Sequence, residues 1–113
     1  LLVSCGFLAQ KTEFDLTVQQ FNDKISSLEQ VQILDVRTPK ECSQGTIDGA
    51  IQIDWFGDSF QKELLQLNKE LPVLVYCKSG GRSSKALKKM KEMGFTTVYN
   101  LEGGYNAWKE SGN

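Results

Sequence analysis

With 113 residues, 40% of them hydrophobic and 24% charged, the chain carries enough apolar mass for one core and too little length for a second domain. A formal net charge of −1 speaks against the strongly basic face of a dedicated nucleic-acid binder, and the apolar fraction speaks against a disordered chain. Histidine is absent, which removes Ser-His-Asp and Cys-His nucleophile pairs and most catalytic zinc sites, so any nucleophile here must be activated without imidazole.

The chain opens on Leu1 to Phe7, an apolar stretch without an apolar run long enough to span a membrane. Its Leu2-Val3-Ser4-Cys5 resembles the lipobox of a bacterial lipoprotein signal, with Cys5 as the lipidated residue. Residues 1–12 are accordingly set apart as an N-terminal segment, and 13–113 are assigned to the folded domain. A lipidated Cys5 would anchor the protein in the periplasm or cell envelope; without it the domain is cytoplasmic.

Next comes Thr17-Val18-Gln19-Gln20, a capping box that predicts a helix through Phe21, Ile25 and Leu28. Val31 to Val36 reads as a strand. Thr38-Pro39-Lys40-Glu41 is a second capping box, with proline at the first helical position, and Gly45 ends that short helix. Ala50 to Ile53 is a short strand, and Phe60, Leu64 and Leu67 share a helical face between about Ser59 and Leu67. Pro72 to Tyr76 is a continuous apolar run, suited to a strand covered on both faces. From Ser83 to Met93, Ala86, Leu87, Met90 and Met93 turn inward against outward lysines, and Gly94 stands at the C-terminal cap. Thr97 to Leu101 is the last strand, followed by a helix carrying Tyr105 and Trp108. Strands alternating with helices predict an α/β fold, a small open parallel sheet with helices on both faces.

In such sheets ligands collect where strands end and helices begin. The run Cys77-Lys78-Ser79-Gly80-Gly81-Arg82-Ser83 lies there. Its two glycines allow successive N–H groups to converge on one centre at the positive end of a helix dipole, an anion cradle. A cysteine at its head would have its thiolate stabilised by those N–H groups, by the dipole, and by Lys78 and Arg82. Lys78, Arg82 and Lys85 favour an anionic substrate. Attack on phosphorus and attack on a sulfane sulfur are both open to an activated thiolate. Four residues separate Cys77 from Arg82, fewer than in the cysteine-based phosphatases, and the smaller loop suits a smaller adduct. The spacings of Cys5, Cys42 and Cys77 fit no metal-ligand pair or disulfide framework, so neither metal nor cofactor is expected.

Four segments in order carry a resemblance to the single-domain rhodaneses, a family of sulfurtransferase modules. They are Ile33 to Glu41, Gly45-Thr46-Ile47-Asp48-Gly49-Ala50, Cys77 to Ser83, and Leu101-Glu102-Gly103-Gly104-Tyr105-Asn106-Ala107-Trp108. The resemblance implies a five-stranded parallel sheet and a Cys77 persulfide that passes sulfur from a donor such as thiosulfate to cyanide, a thiol or a partner protein. It implies that the N–H groups from Lys78 to Ser83 hold the persulfide, that Arg82 closes the loop and binds the anionic donor, and that Asp35 and Arg37 brace the site. Glu102-Gly103-Gly104 reads as a tight turn, and Trp108 as a core residue. The family often has an aromatic at Cys42 and a histidine at Thr46. Cys42 is read as a small residue in a core slot, with a resolving thiol as the alternative. Two other readings compete: a non-catalytic rhodanese-like binding or sensor module, and a phosphatase or arsenate reductase.

Overall fold

The chain alternates strand and helix from Asp15 to Glu110, in a computed structural model that describes residues 12–113. The proposed lipidation site, Cys5, lies outside the described residues. The strands are β1 (Asp15–Leu16), β2 (Gln32–Asp35), β3 (Ile51–Gln52), β4 (Val73–Tyr76) and β5 (Val98–Leu101). The helices are α1 (Val18–Ser27), α2 (Pro39–Cys42), α3 (Phe60–Leu64), α4 (Gly81–Glu92) and α5 (Gly104–Glu110). The strands form one parallel sheet in the order β1-β5-β4-β2-β3.

Local signals account for most element starts. Both capping boxes form: the Thr17 hydroxyl accepts from the Gln20 N–H and the Gln20 side chain from the Thr17 N–H, and Thr38 and Glu41 do the same for α2. Besides element ends that fall inside the expected ones, as α3 does at Leu64 against Leu67, two features differ from the sequence pattern. The pattern offers four strands, because β1 is only two residues long and exists by pairing with β5 at the sheet edge. And α4 begins at Gly81, two residues before Ser83, because Gly80 takes a left-handed conformation (φ 111°) that turns the chain directly into the helix.

Strand parity divides the core in two. On one face Leu34, Val36, Val73, Val75 and Val98 pack against Phe60 and Leu64 of α3 and Ala86 and Met90 of α4. On the other, Leu16, Ile33, Leu74, Tyr76 and Leu101 pack against Phe21 of α1, with Tyr105 and Trp108 of α5 alongside. Trp108 is half-buried and meets Phe21 edge to face at 6.2 Å. All four residues of β4 are buried, as a strand covered on both faces requires. The strand order reverses its direction of growth between β2 and β4, so the crevice beyond their carboxyl ends is where this fold collects ligands.

Candidate active site

Parity also decides what stands at that crevice. One residue beyond β4, Cys77 continues the Val73, Val75 series and belongs to the α3/α4 core, 1% exposed. Tyr76 points to the opposite face. The chain then loops through Lys78 and Ser79 to Gly80, and α4 starts. With Gly80 as N-cap, Ser83 is the third helical residue, so its N–H is one of the donors that no turn of helix satisfies.

Three donors converge on the sulfur. The Gly80 N–H lies 3.0 Å from Cys77 Sγ, the Ser83 N–H 3.4 Å, and the Ser83 hydroxyl 3.3 Å. Burial pushes the thiol pKa up, but the Ser83 hydroxyl and the N–H groups of Ser83, Gly80 and Ser79 outweigh it, and the net shift is downward. A nearly inaccessible cysteine is thus biased toward thiolate, with a fully buried serine as its principal donor. Lys78 and Ser79 are exposed, as are Gly81 and, on the second turn of α4, Lys85.

The loop is held from behind by α5. Tyr105 donates its N–H to the Cys77 carbonyl at 2.8 Å, and Asn106 to the Lys78 carbonyl at 3.0 Å. These bonds turn both carbonyls away from the cradle, toward the helix N-terminus. Gly104 makes the approach possible: a Cβ there would lie 2.5 Å from the Lys78 carbonyl carbon and oxygen and 2.6 Å from the Cys77 oxygen, and its φ is +60°. The sequence reading saw a tight turn in Glu102-Gly103-Gly104 and missed the loop support; its only local signal is the glycine pair before an aromatic.

Arg82 does not stand free over the thiol. Its guanidinium forks onto Glu41 of α2, Nη1 to Oε1 at 2.7 Å and Nη2 to Oε2 at 2.8 Å, and lies 5.7 Å from the exposed ring of Phe56. Arg82 holds the Glu41 carboxyl down at about 2. Spacing along the chain assigns Glu41 a capping role alone.

Asp35 and Arg37 lie on the α1/α5 side of the sheet, away from the sulfur. Arg37 Nη2 and Nε reach Asp35 at 2.8 and 3.0 Å, its N–H reaches Asp35 Oδ1 at 2.9 Å, and Nη2 also donates to the Gly45 carbonyl at 2.7 Å. The guanidinium stacks 4.3 Å from the Tyr105 ring, linking the pair to α5. Burial, and then its hydrogen bond to Asp35, keeps Tyr76 well above the usual phenol pKa, while its oxygen accepts from the Ile47 N–H at 3.0 Å. The pair thus ties the end of β2 to the Gly45 carbonyl and to the ring of Tyr105.

Cys42 departs from the expectation of a core slot. It is half-buried and belongs to neither core cluster. Burial, the Asp35 charge and a hydrogen bond to Asp35 push its thiol up to about 11. The thiol is thereby kept protonated at neutral pH. A cleft of about 220 Å³ runs between the two systems, lined by Arg37, Glu41, Gln44, Lys78, Tyr105 and Asn106. Among the described residues no group of three or more His, Cys, Asp or Glu is placed to hold a metal ion.

The rhodanese-like domain model matches residues 17–111. A sulfurtransferase of Allochromatium vinosum is 31% identical over 98 residues, spanning 87% of this chain and 90% of its own. The thiosulfate sulfurtransferase GlpE of Shewanella oneidensis is 32% identical over 88 residues, spanning 78% of this chain and 85% of its own. The crystal structure of SSP1007 from Staphylococcus saprophyticus has a TM-score of 0.75 at 32% identity, covering 87% of this chain and 95% of that one.

Proposed function

The chain belongs to the rhodanese-like domain family, several of whose matched members are named sulfurtransferases, and from that premise we propose that Cys77 carries the sulfur atom in a two-step transfer. In the first step the Cys77 thiolate attacks the outer sulfur of an anionic donor such as thiosulfate. The donor's S–S bond breaks, its electron pair leaves on sulfite, and Cys77 becomes a persulfide. In the second, cyanide or a thiolate attacks the outer sulfur. The bond to Sγ breaks, its electron pair returns to the Cys77 thiolate, and thiocyanate or a new persulfide departs. No proton, metal or redox cofactor enters the balance.

The observation that carries this reading is the set of donors on Sγ: the Gly80 N–H, the Ser83 N–H and the Ser83 hydroxyl. They favour the nucleophilic thiolate before attack and the returning thiolate after it, without histidine. The remaining N–H groups between Lys78 and Arg82 are the donors available to the negative charge of the outer sulfur. Lys78, at the cleft, supplies the attraction for an anionic donor.

Intact-mass measurement after thiosulfate treatment tests the reading, with Cys77→Ala beside the parent. A gain of one sulfur atom in the parent, reversed by cyanide and absent from the variant, is the expected result. No adduct with thiosulfate, mercaptopyruvate or polysulfide would overturn it in favour of a non-catalytic binding module.

A further inference from the structure

The arginine that lines the cleft and the arginine bonded to the cleft's Glu41 are each occupied by a carboxylate. Arg37 is held by Asp35, and Arg82 by Glu41. Lys78 is the cation of the adjoining cleft that has no carboxylate partner among the described residues. The Glu41 contact is built into the backbone. Its Oε1 accepts from the Thr38 N–H at 3.0 Å and the Thr38 hydroxyl at 3.1 Å as well as from Arg82, while Oε2 takes the second arm of the fork. The carboxylate is thus fixed in place by the start of α2, independently of Arg82, and it is ionised throughout the neutral range. A dianionic donor that claimed the Arg82 fork would have to displace a fixed negative charge and then lie beside it.

We propose that Glu41 is a specificity-determining residue that sets the charge of the sulfur donor. By occupying Arg82 it disfavours dianions such as thiosulfate and favours sulfane donors that bring a single negative charge to the mouth. This rests on the sulfurtransferase reading above. It goes beyond that reading by assigning a donor class and a residue that selects it.

Glu41→Gln is the discriminating variant. It removes the charge and keeps an Oε1 that accepts from Thr38, so α2 retains its cap; an unchanged thermal midpoint checks this. Transfer to cyanide is measured with thiosulfate and with methanethiosulfonate, which presents the same outer sulfur on a monoanion. The expected result is a fall in KM for thiosulfate of about 3- to 10-fold, with little change for methanethiosulfonate and a smaller effect on kcat. Equal effects on the two donors, or none, would overturn the assignment. Thiosulfate binding to Cys77→Ser, with and without Glu41→Gln, reads the same charge effect without turnover. Tighter binding in the double variant of a protein that never forms a persulfide would refute the sulfurtransferase reading and leave Glu41 as the charge selector. Unchanged binding would refute the selector whatever the chemistry at Cys77.

Discussion

Two thiols in one small domain are driven in opposite directions. Burial disfavours both thiolates, but Cys77 faces only donors, whereas Cys42 faces the Asp35 carboxylate. For Cys77 the folded pKa lies below its ordinary value. The thiolate therefore stabilises the fold at pH above the unfolded thiol pKa, and that contribution is lost as pH falls through the folded value. Ser83→Ala removes the largest stabilising donor, so the pH profile of iodoacetamide alkylation should move to higher pH. The rate at pH 7 should drop by roughly an order of magnitude, the scale of a hydrogen bond to a charged group. An unmoved profile would take Ser83 out of thiol activation. The cradle itself was legible, since a cysteine followed by two glycines, an arginine and a serine at a strand end specifies little else. The environment of Cys42 was not, because Asp35 reaches it through the tertiary fold rather than along the chain.

At the level of elements, the active-site loop is shaped by α5 as much as by its own sequence. The first turn of α5 donates two N–H groups to the carbonyls of Cys77 and Lys78, and Gly104 is the point of closest approach. Gly104→Ala should cost about 2–5 kcal/mol, combining the left-handed backbone with a clash against rigid peptide groups. Urea unfolding measures that loss, and mass analysis of the remaining folded protein should show slower persulfide formation, because the loop must move to admit the methyl group. The sequence showed a turn at Glu102-Gly103-Gly104. It could not show that the turn abuts the Cys77 loop, since that depends on β4 and β5 being neighbours. Glu41 teaches the same lesson: the capping box was readable from spacing, whereas its fork to Arg82 joins α2 to α4 across 41 positions of sequence.

Across the whole molecule, the sheet separates the Cys77 cradle from the Asp35–Arg37 pair. Cys77 lies on the α3/α4 face, and Asp35, Arg37 and Tyr76 tie β2, β4 and α5 together on the other. Asp35→Asn would leave the Arg37 charge, 4% exposed, without its counter-ion, an expected loss of about 3–5 kcal/mol by denaturant titration. Asp35→Asn with Arg37→Met should recover part of it. Folded Asp35→Asn should still take up sulfur at Cys77; failure to do so would give the pair a direct part in the chemistry. The sequence by itself determined the alternation of strands and helices, the helix caps, the two-faced burial of β4 and the place of the Cys77 loop between β4 and α4, because each depends on residues within one or two turns of one another. Tertiary structure alone decided the edge strand β1, the placing of Asp35 behind the sheet, and the pairing of Arg82 with Glu41. Those depend on which strands lie side by side and on which face a residue's parity puts it, and no local pattern carries that information.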